Sequence, residues 1–124
     1  MDNILVVDDE RNVRALVSRV LAQDQMEIHG AGTGKEGLQM VDEVSPDVVL
    51  LDLRLPDVDG MDVLRTLKNR YPEIAVIIIT GYGQIQSAVE AMKAGATDYL
   101  EKPFEHLEKL KLAVGRALEE VRAK

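Results

Sequence analysis

The chain of 124 residues contains no cysteine, no tryptophan and one phenylalanine, and only two of its residues are histidine. The lack of cysteine excludes disulfide bridges, thiolate zinc sites and thiol nucleophiles. Two histidines are too few for a histidine-rich metal site. Apolar runs are far shorter than the roughly 18 residues that a membrane span requires, and Met1-Asp2-Asn3 lacks the basic start of a secretory signal. We therefore expect a soluble, cytoplasmic protein.

Basic residues are also in short supply. The 15 Lys and Arg stand against 22 Asp and Glu, which gives a formal net charge of −7. Binding to nucleic acid or anionic lipid without sequence preference needs a basic face, so we expect neither direct nucleic-acid contact nor membrane association. The length suits one compact domain, and we predict a single domain over residues 1–124.

Five short apolar runs recur at regular intervals, and each is followed by a segment of helical periodicity. The first, third and fourth are almost unbroken in Val, Ile and Leu, which is typical of strands covered on both faces of a parallel sheet. The second and fifth are more polar, as edge strands are. The alternation predicts an α/β fold with a doubly wound parallel sheet. The runs are Ile4–Val7, Met26–Ile28, Val48–Leu51, Ile74–Ile79 and Thr97–Leu100.

Helix boundaries are indicated as well. Thr33 with Glu36 is a capping-box pattern for the second helix, Asp59 stands at the N-cap position of the third, and Gly95 is placed to end the fourth. The last helix has an apolar stripe that predicts a core-facing side or, alternatively, a coiled coil continuing toward another domain. Its members are Leu107, Leu110, Val114, Ala117 and Val121.

Groups that carry chemistry follow the predicted strands. Asp8-Asp9 comes after the first strand, Asp52 after the third, Thr80 after the fourth and Lys102 shortly after the fifth. In open parallel sheets, ligands gather at the carboxyl ends of the strands. Any one of these residues could be structural, since an aspartate can cap a helix or stand solvated at a strand end. Their joint occurrence favours a functional site.

Carboxylates that cluster repel one another unless a cation lies between them. Mg²⁺ takes a few carboxylate oxygens and favours phosphate as a further ligand. Lys102 is a suitable partner for a phosphoryl oxygen, and Thr80 can donate a hydrogen bond to another. An ionised aspartate in this setting is a plausible nucleophile toward phosphorus. The sequence thus predicts a magnesium-dependent phosphoryl site.

This set of residues, with Lys102-Pro103, resembles the full signature of the bacterial response-regulator receiver domain. The intervening sequence is similar too, including Leu51–Pro56, Gly60 and Ala94-Gly95-Ala96. The resemblance covers the whole chain and implies the flavodoxin-like fold, with five parallel strands in the order 2-1-3-4-5 and helices on both faces.

Carried over by position, the resemblance makes Asp52 the phosphoacceptor and Lys102 and Thr80 its catalytic partners. It implies a Mg²⁺ site formed by Asp8, Asp9, Asp52 and the backbone carbonyl of Arg54. The phosphoryl donor would be a phosphohistidine on a sensor histidine kinase. The domain would catalyse its own phosphorylation and dephosphorylation rather than act as a turnover enzyme.

The resemblance also implies a switch. Thr80 would be the switch hydroxyl and Tyr99 the switch aromatic, although Tyr99 could instead be an edge-strand ring that covers core. Pro103 matches the family's proline, which follows a cis peptide bond. Arg54 and Tyr82 match positions that gate the attacking water. The face of helix 4, strand 5 and helix 5 would be the output face and a possible homodimer contact.

Three sequence segments are most similar to those of receivers in nitrogen-regulation-type, sigma-54-dependent transcription activators. They are Thr80–Gly83, Ala88–Ala96 and Lys102–Phe104. Such activators carry an ATPase and a DNA-binding part after the receiver. The chain is therefore expected to be a receiver excised from such an activator. A stand-alone receiver of the chemotaxis or phosphorelay type is the alternative.

Three other functions match parts of the sequence less well. Gly32–Gly37 matches the G-x-G-x-x-G pattern of dinucleotide-binding proteins, but a glycine-rich turn with a helix cap is the favoured explanation. A dehalogenase-type aspartyl phosphatase carries an acid two residues after its nucleophile, where this chain has Arg54. A receiver-shaped protein that only binds a partner would not need Asp52, Thr80 and Lys102 together.

Overall fold

The structure is a computed structural model that describes residues 2–22, 25–81, 85–102 and 107–123. Strands and helices alternate along these residues, as the apolar runs predict. The elements are β1 Asp2–Val7, α1 Arg11–Leu21, β2 Met26–Ala31, α2 Gly34–Val44, β3 Val48–Asp52, α3 Gly60–Arg70, β4 Ala75–Thr80, α4 Ile85–Lys93, β5 Asp98–Glu101 and α5 Leu107–Arg122.

The five strands form one parallel sheet in the order β2-β1-β3-β4-β5. This order confirms the flavodoxin-like prediction and places the two more polar strands, β2 and β5, at the edges. The chain winds outward from β1 in both directions, so the carboxyl ends of β1 and β3 are adjacent at the switch point of the topology. Any site formed by strand ends is centred there.

The core has two halves because side chains of a strand alternate between the faces of a sheet. Ile4 and Val6 of β1 face α1 and α5, whereas Leu5 and Val7 face α2, α3 and α4. Every residue of β3 and β4 is buried. Burial on both faces explains why these strands are continuous apolar runs in the sequence.

The predicted helix signals are confirmed at three positions. Thr33 Oγ1 accepts a hydrogen bond from the Glu36 N–H at 3.0 Å, and Asp59 Oδ1 accepts from the Met61 N–H at 2.9 Å. Gly95 follows α4 with φ of +108°, a conformation that glycine adopts without strain. These caps fix where α2 and α3 begin and where α4 ends.

The apolar stripe of α5 packs on the sheet with one exception. Leu110, Val114 and Ala117 are buried and Val121 packs against them, which confirms a core-facing side. Leu107 was predicted to belong to this side, but its side chain is exposed. It is the first residue of α5, one turn before Leu110, where contact of this helix with the core begins. No helix in the described part of the chain has the length and apolarity to cross a bilayer.

The loop after β3 returns tightly onto the strand at Gly60. The Gly60 N–H donates to the Leu53 carbonyl at 3.0 Å, and Arg54 forms an antiparallel bridge with Asp59. A Cβ on Gly60 would lie 2.4 Å from Leu53 Cα and 2.5 Å from the Asp52 carbonyl oxygen. Glycine is needed here because backbone, rather than a movable side chain, occupies the space.

We expect Gly60→Ala to lower the free energy of unfolding by about 1–3 kcal/mol, because the added methyl group overlaps main-chain atoms. Gly115→Ala is the matched control, since nothing lies within 4 Å of a Cβ at this position inside α5. That variant should gain about 0.5–1 kcal/mol from the better helix propensity of alanine. Urea unfolding followed by circular dichroism measures both. Equal stability of the two variants would contradict the close-approach argument.

Candidate functional site

Four strand ends meet at one edge of the sheet and bring the predicted site residues together. Asp8 directly follows β1, Asp52 ends β3, Thr80 ends β4 and Lys102 directly follows β5. Asp8, Asp52 and Thr80 are buried although they are polar, and Asp9 beside them is exposed. The Lys102 N–H donates to the Thr80 carbonyl at 2.8 Å, which extends the β4–β5 pairing by one residue and holds the lysine at the site.

The ammonium of Lys102 lies between two buried carboxylates. Its Nζ is 2.9 Å from Asp8 Oδ2 and 3.0 Å from Asp52 Oδ2, and it is 3.6 Å from Glu10 Oε2. The lysine side chain is only 14% exposed. Buried charges need such partners, because an unpaired charge in this environment would cost several kcal/mol.

Asp8 and Asp52 are oriented in the same way. Asp8 Oδ1 accepts the Glu10 N–H at 2.9 Å, and Asp52 Oδ1 accepts the Arg54 N–H at 2.9 Å. Each carboxylate therefore bonds the backbone two residues ahead through one oxygen, as in an Asx-turn, and Lys102 through the other. Glu10, rather than either aspartate, is the N-cap residue of α1, and its side chain makes no capping hydrogen bond. The helix-capping alternative for Asp8 and Asp9 thus does not describe this site.

The pKa values of the paired groups shift in ways that their surroundings explain. Burial raises the pKa of Asp52, hydrogen bonds from the Arg54 N–H and Lys102 offset part of this rise, and the charge of Asp8 adds to it. Burial alone would lower the pKa of Lys102, but the hydrogen bonds that its ammonium donates to Asp8 and Asp52 outweigh burial and raise the pKa to about 12. Lys102 is therefore fully protonated at neutral pH.

Asp8, Asp9 and Asp52 form a group that could hold a metal ion. One carboxylate oxygen of each lies within 4.8 Å of the others. These are hard oxygen ligands, and they come from only three side chains, which suits a cation such as Mg²⁺ that keeps several waters or phosphate oxygens. The exposed position of Asp9 leaves the group accessible from solvent. The donor chemistry therefore fits the predicted ion.

Arg14 is a residue near the site that the sequence did not reveal. Its Nη1 donates to the Asp8 carbonyl at 2.7 Å, and its side chain crosses the end of β2 over two glycines. A Cβ on Gly30 would lie 3.2 Å from Arg14 Cδ, and one on Gly32 would lie 3.5 Å from Nη1. The guanidinium thus holds the main chain at Asp8. The helical spacing of Arg14 from Glu10 places it on that side of α1, but nothing in the sequence names its acceptor.

The predicted switch pair has one buried and one exposed member. Thr80 is 2% exposed and its Oγ1 donates to the Leu100 carbonyl at 3.4 Å. Tyr99 is 41% exposed, so the alternative in which its ring covers core is wrong. It lines a groove of about 360 Å³, here called the α4–β5 groove, with Ala88, Val89, Met92 and Lys93. Pro103 and Tyr82, whose roles the resemblance implies, lie outside the described residues.

The glycine-rich segment Gly32–Gly37 has a packing explanation. A Cβ on Gly34 would lie 2.2 Å from Val58 Cγ2, and one on Gly37 would lie 2.8 Å from Val7 Cγ2. The N-terminus of α2, which faces a pyrophosphate in dinucleotide-binding proteins, instead receives side chains of this chain. The dinucleotide hypothesis therefore has no support from the structure.

Residues 4–114 match the family profile of the response regulator receiver domain. The chain belongs to the response-regulator receiver family. The match covers the sheet except for the first two residues of β1, and it ends half-way along α5. Membership in this family removes the dehalogenase-type phosphatase from consideration.

Relatives of known name are regulatory proteins. The Escherichia coli regulatory protein AtoC is 41% identical over 119 residues, covering 96% of this chain and 26% of AtoC. The Proteus hauseri DNA-binding transcriptional regulator NtrC is 37% identical over 110 residues, covering 89% and 23%. The structure of Brucella abortus NtrX in complex with ADP superimposes with a TM-score of 0.93 at 37% identity, over 99% of this chain and 28% of NtrX.

These similarities confirm the resemblance to receivers of nitrogen-regulation-type activators. The chain spans about a quarter of the length of the curated relatives it matches. Activities that belong to the other three quarters of those relatives can only be proposed for this protein.

The raised pKa of Asp52 predicts how stability depends on pH without metal. The folded protein binds this proton more tightly than the unfolded chain, so the contribution to stability is present at low pH. It is lost as the pH rises above the ordinary value of 3.8 and through the raised pKa. We expect metal-free Asp52→Asn to be more stable than wild type at pH 7, by a difference that shrinks toward acid pH.

Urea unfolding in the presence of a chelator, at several pH values, measures this difference. Asp62→Asn is the matched control, because it removes one carboxylate charge at an exposed position of α3. A metal-free Asp52→Asn variant that is less stable than wild type at neutral pH would show that the carboxylate contributes more through Lys102 than it loses by burial.

Proposed function

We propose that this receiver domain accepts a phosphoryl group on Asp52 from a phosphohistidine of a sensor histidine kinase, in a Mg²⁺-dependent reaction. The observation that carries the proposal is the contact of Asp52 Oδ2 with the Lys102 ammonium at 3.0 Å, beside Asp8 and Asp9 at the switch point of the sheet. A buried carboxylate next to an ammonium and further carboxylates is suited to take up a phosphoryl group together with a cation.

In the proposed reaction, a carboxylate oxygen of Asp52 attacks phosphorus in line. The P–N bond to the donor imidazole breaks, an acyl phosphate forms, and the ring nitrogen takes a proton from water. Lys102 moves from the Asp52 oxygen to an oxygen of the phosphoryl group, where its fixed charge stabilises the transition state. Bound to Asp8, Asp9, Asp52 and the Arg54 carbonyl, Mg²⁺ would offset negative charge on the transferring oxygens.

Thr80 completes the proposed catalytic set. Its buried hydroxyl ends β4 next to the strand that carries Asp52, and the 3.4 Å bond to Leu100 is long enough to be exchanged at little cost. After phosphorylation the hydroxyl would donate to a phosphoryl oxygen, which is a charge-assisted and therefore stronger bond. Water later hydrolyses the acyl phosphate, so the domain catalyses its own modification and is not a turnover enzyme.

The proposed output is a change at the face formed by α4, β5 and α5. Phosphorylation adds negative charge and three acceptor oxygens, and Thr80 and Tyr99 form the element that responds. The α4–β5 groove exposes Val89, Met92 and Tyr99, which are large apolar side chains. Contiguous apolar surface of this kind is typical of contact sites. A second copy of the domain is the proposed occupant.

Transcription control is the proposed role of the whole protein. The relatives are several times longer than this chain and are named as regulators. An ATPase and DNA-binding part after the receiver would read out the phosphorylated state, in the cytoplasm and without DNA contact by residues 1–124. A stand-alone receiver is the second candidate, and the reading frame after Lys124 decides between them.

The phosphorylation proposal predicts a single adduct on Asp52. After incubation with acetyl phosphate and Mg²⁺, intact-mass spectrometry should show one added phosphoryl group on wild type. Asp52→Asn should show none, and Asp62→Asn should behave as wild type because its carboxylate is exposed on α3. A phosphorylated kinase is the second donor to be used. Wild-type protein that takes up no phosphoryl group from either donor would disprove the proposal.

The switch proposal predicts a separation of phosphorylation from output. Thr80→Ala should still be phosphorylated on Asp52, but more slowly. The loss of one hydrogen bond should raise the activation free energy by about 1–2 kcal/mol. Its amide chemical shifts in α4 and β5 should change less on phosphorylation than those of wild type. Thr66→Ala in α3 is the control for loss of a threonine hydroxyl. Wild-type shifts on this face that do not change on phosphorylation would count against the switch.

A further inference from the structure

The loop between β3 and α3 follows Asp52 and carries Arg54, so its position governs which backbone atoms stand beside the acidic cluster. Two contacts tie it to its own strand and helix. The Gly60 N–H donates to the Leu53 carbonyl, and Arg54 bridges to Asp59. A third contact joins the loop to a different part of the chain, at the start of α2.

This third contact is made by Asp57. Its Oδ1 accepts the Gly34 N–H at 2.8 Å and its Oδ2 accepts the Lys35 N–H at 3.0 Å. Thr33 accepts the next N–H of the helix, that of Glu36. The first-turn N–H groups that a helix leaves without partners are thus satisfied by one residue next to the helix and one residue from the loop after β3.

Close packing accompanies these bonds. The absent side chain of Gly34 lets Val58 approach α2, since a Cβ there would overlap Val58 Cγ2 and would also lie 3.3 Å from Leu55 Cδ1. One turn later, Gly37 lets α2 lie against Val7, the residue before Asp8. The start of α2 therefore contacts both segments that deliver carboxylates to the site, one through Val7 and one through the loop.

We propose that Asp57 is a positioning residue, which ties the loop carrying Arg54 to the N-terminus of α2 and thereby holds the backbone of that loop beside the acidic cluster. Its metal-binding consequence rests on the proposed function, in which the Arg54 carbonyl is a Mg²⁺ ligand. The carboxylate suits this role because it accepts two backbone N–H groups at once and its charge is favourable at a helix N-terminus. The same two hydrogen bonds hold the pKa of Asp57 below its usual value.

The first experiment uses metal-free protein and does not depend on phosphorylation. Amide hydrogen exchange by NMR reports on the bonds that shape the loop, from the Arg54 N–H to Asp52 and from the Gly60 N–H to Leu53. In Asp57→Ala we expect both amides to exchange faster, on the order of tenfold. Asp57→Asn keeps one acceptor oxygen and should lie between Asp57→Ala and wild type.

Thr33→Ala is the matched control. It removes the other side-chain cap from the same helix end, so it weakens α2 to a similar extent without releasing the loop. Exchange at Arg54 and Gly60 should remain as in wild type. Faster exchange in both variants, or in neither, would overturn the positioning role.

The second experiment follows Mg²⁺ binding by amide chemical shifts. Loss of a residue that orients a metal ligand commonly lowers the affinity for the metal by an order of magnitude. Asp57→Ala should therefore bind Mg²⁺ about tenfold more weakly than wild type. Thr33→Ala should bind with wild-type affinity, and saturating Mg²⁺ should restore phosphorylation of Asp57→Ala. An equal loss of affinity in both variants would assign the effect to α2 stability and overturn the proposal.

The two proposals fail separately. If wild type takes up no phosphoryl group, the proposed function is wrong, while the exchange measurement still decides whether Asp57 holds the loop. If Asp52 is phosphorylated but the exchange rates at Arg54 and Gly60 are the same in all variants, the positioning role is wrong and the function stands.

Discussion

The Lys102 ammonium lies between the carboxylates of Asp8 and Asp52, and the arrangement of the other site residues depends on this contact. Two buried negative charges at adjacent strand ends would repel each other without a cation. Lys102 supplies that cation from the end of β5, which is separated from β1 in the sheet by β3 and β4. The contact therefore requires that β1, β3, β4 and β5 pair in register, so strand pairing and the arrangement of the acidic cluster depend on each other.

Glycines and backbone hydrogen bonds support this arrangement from outside. Gly60 lets the loop after β3 fold onto its strand, and Gly34 lets the same loop pack on α2. Arg14 holds the main chain of Asp8 from the opposite side. The positions of the carboxylates thus depend on main-chain geometry. Uncharged residues such as Gly34 and Gly60 contribute to the site as well as the charged Arg14.

Much of this structure could be predicted from the sequence, and the remainder shares one physical cause. Strands β3 and β4 are buried on both faces, which leaves a continuous apolar run, and parallel strands bring Asp8, Asp52 and Lys102 to one edge. Local signals also gave the caps at Thr33 and Asp59. The bonds of Asp57 to α2 and the exposure of Leu107 were not predictable, because each depends on where a distant element packs. Local periodicity carries no information on such contacts.

The position of β5 has a mechanical consequence. This strand has four residues, hydrogen-bonds only β4 within the sheet, and stands at its edge. The Lys102 backbone is tied to Thr80, while its side chain reaches across to the carboxylates. The central strands β3 and β4 are buried on both faces and paired on both sides, whereas β5 is paired on one side. A displacement of the ammonium is therefore expected to distort β5, which has one hydrogen-bonded neighbour, more than the central strands, which have two.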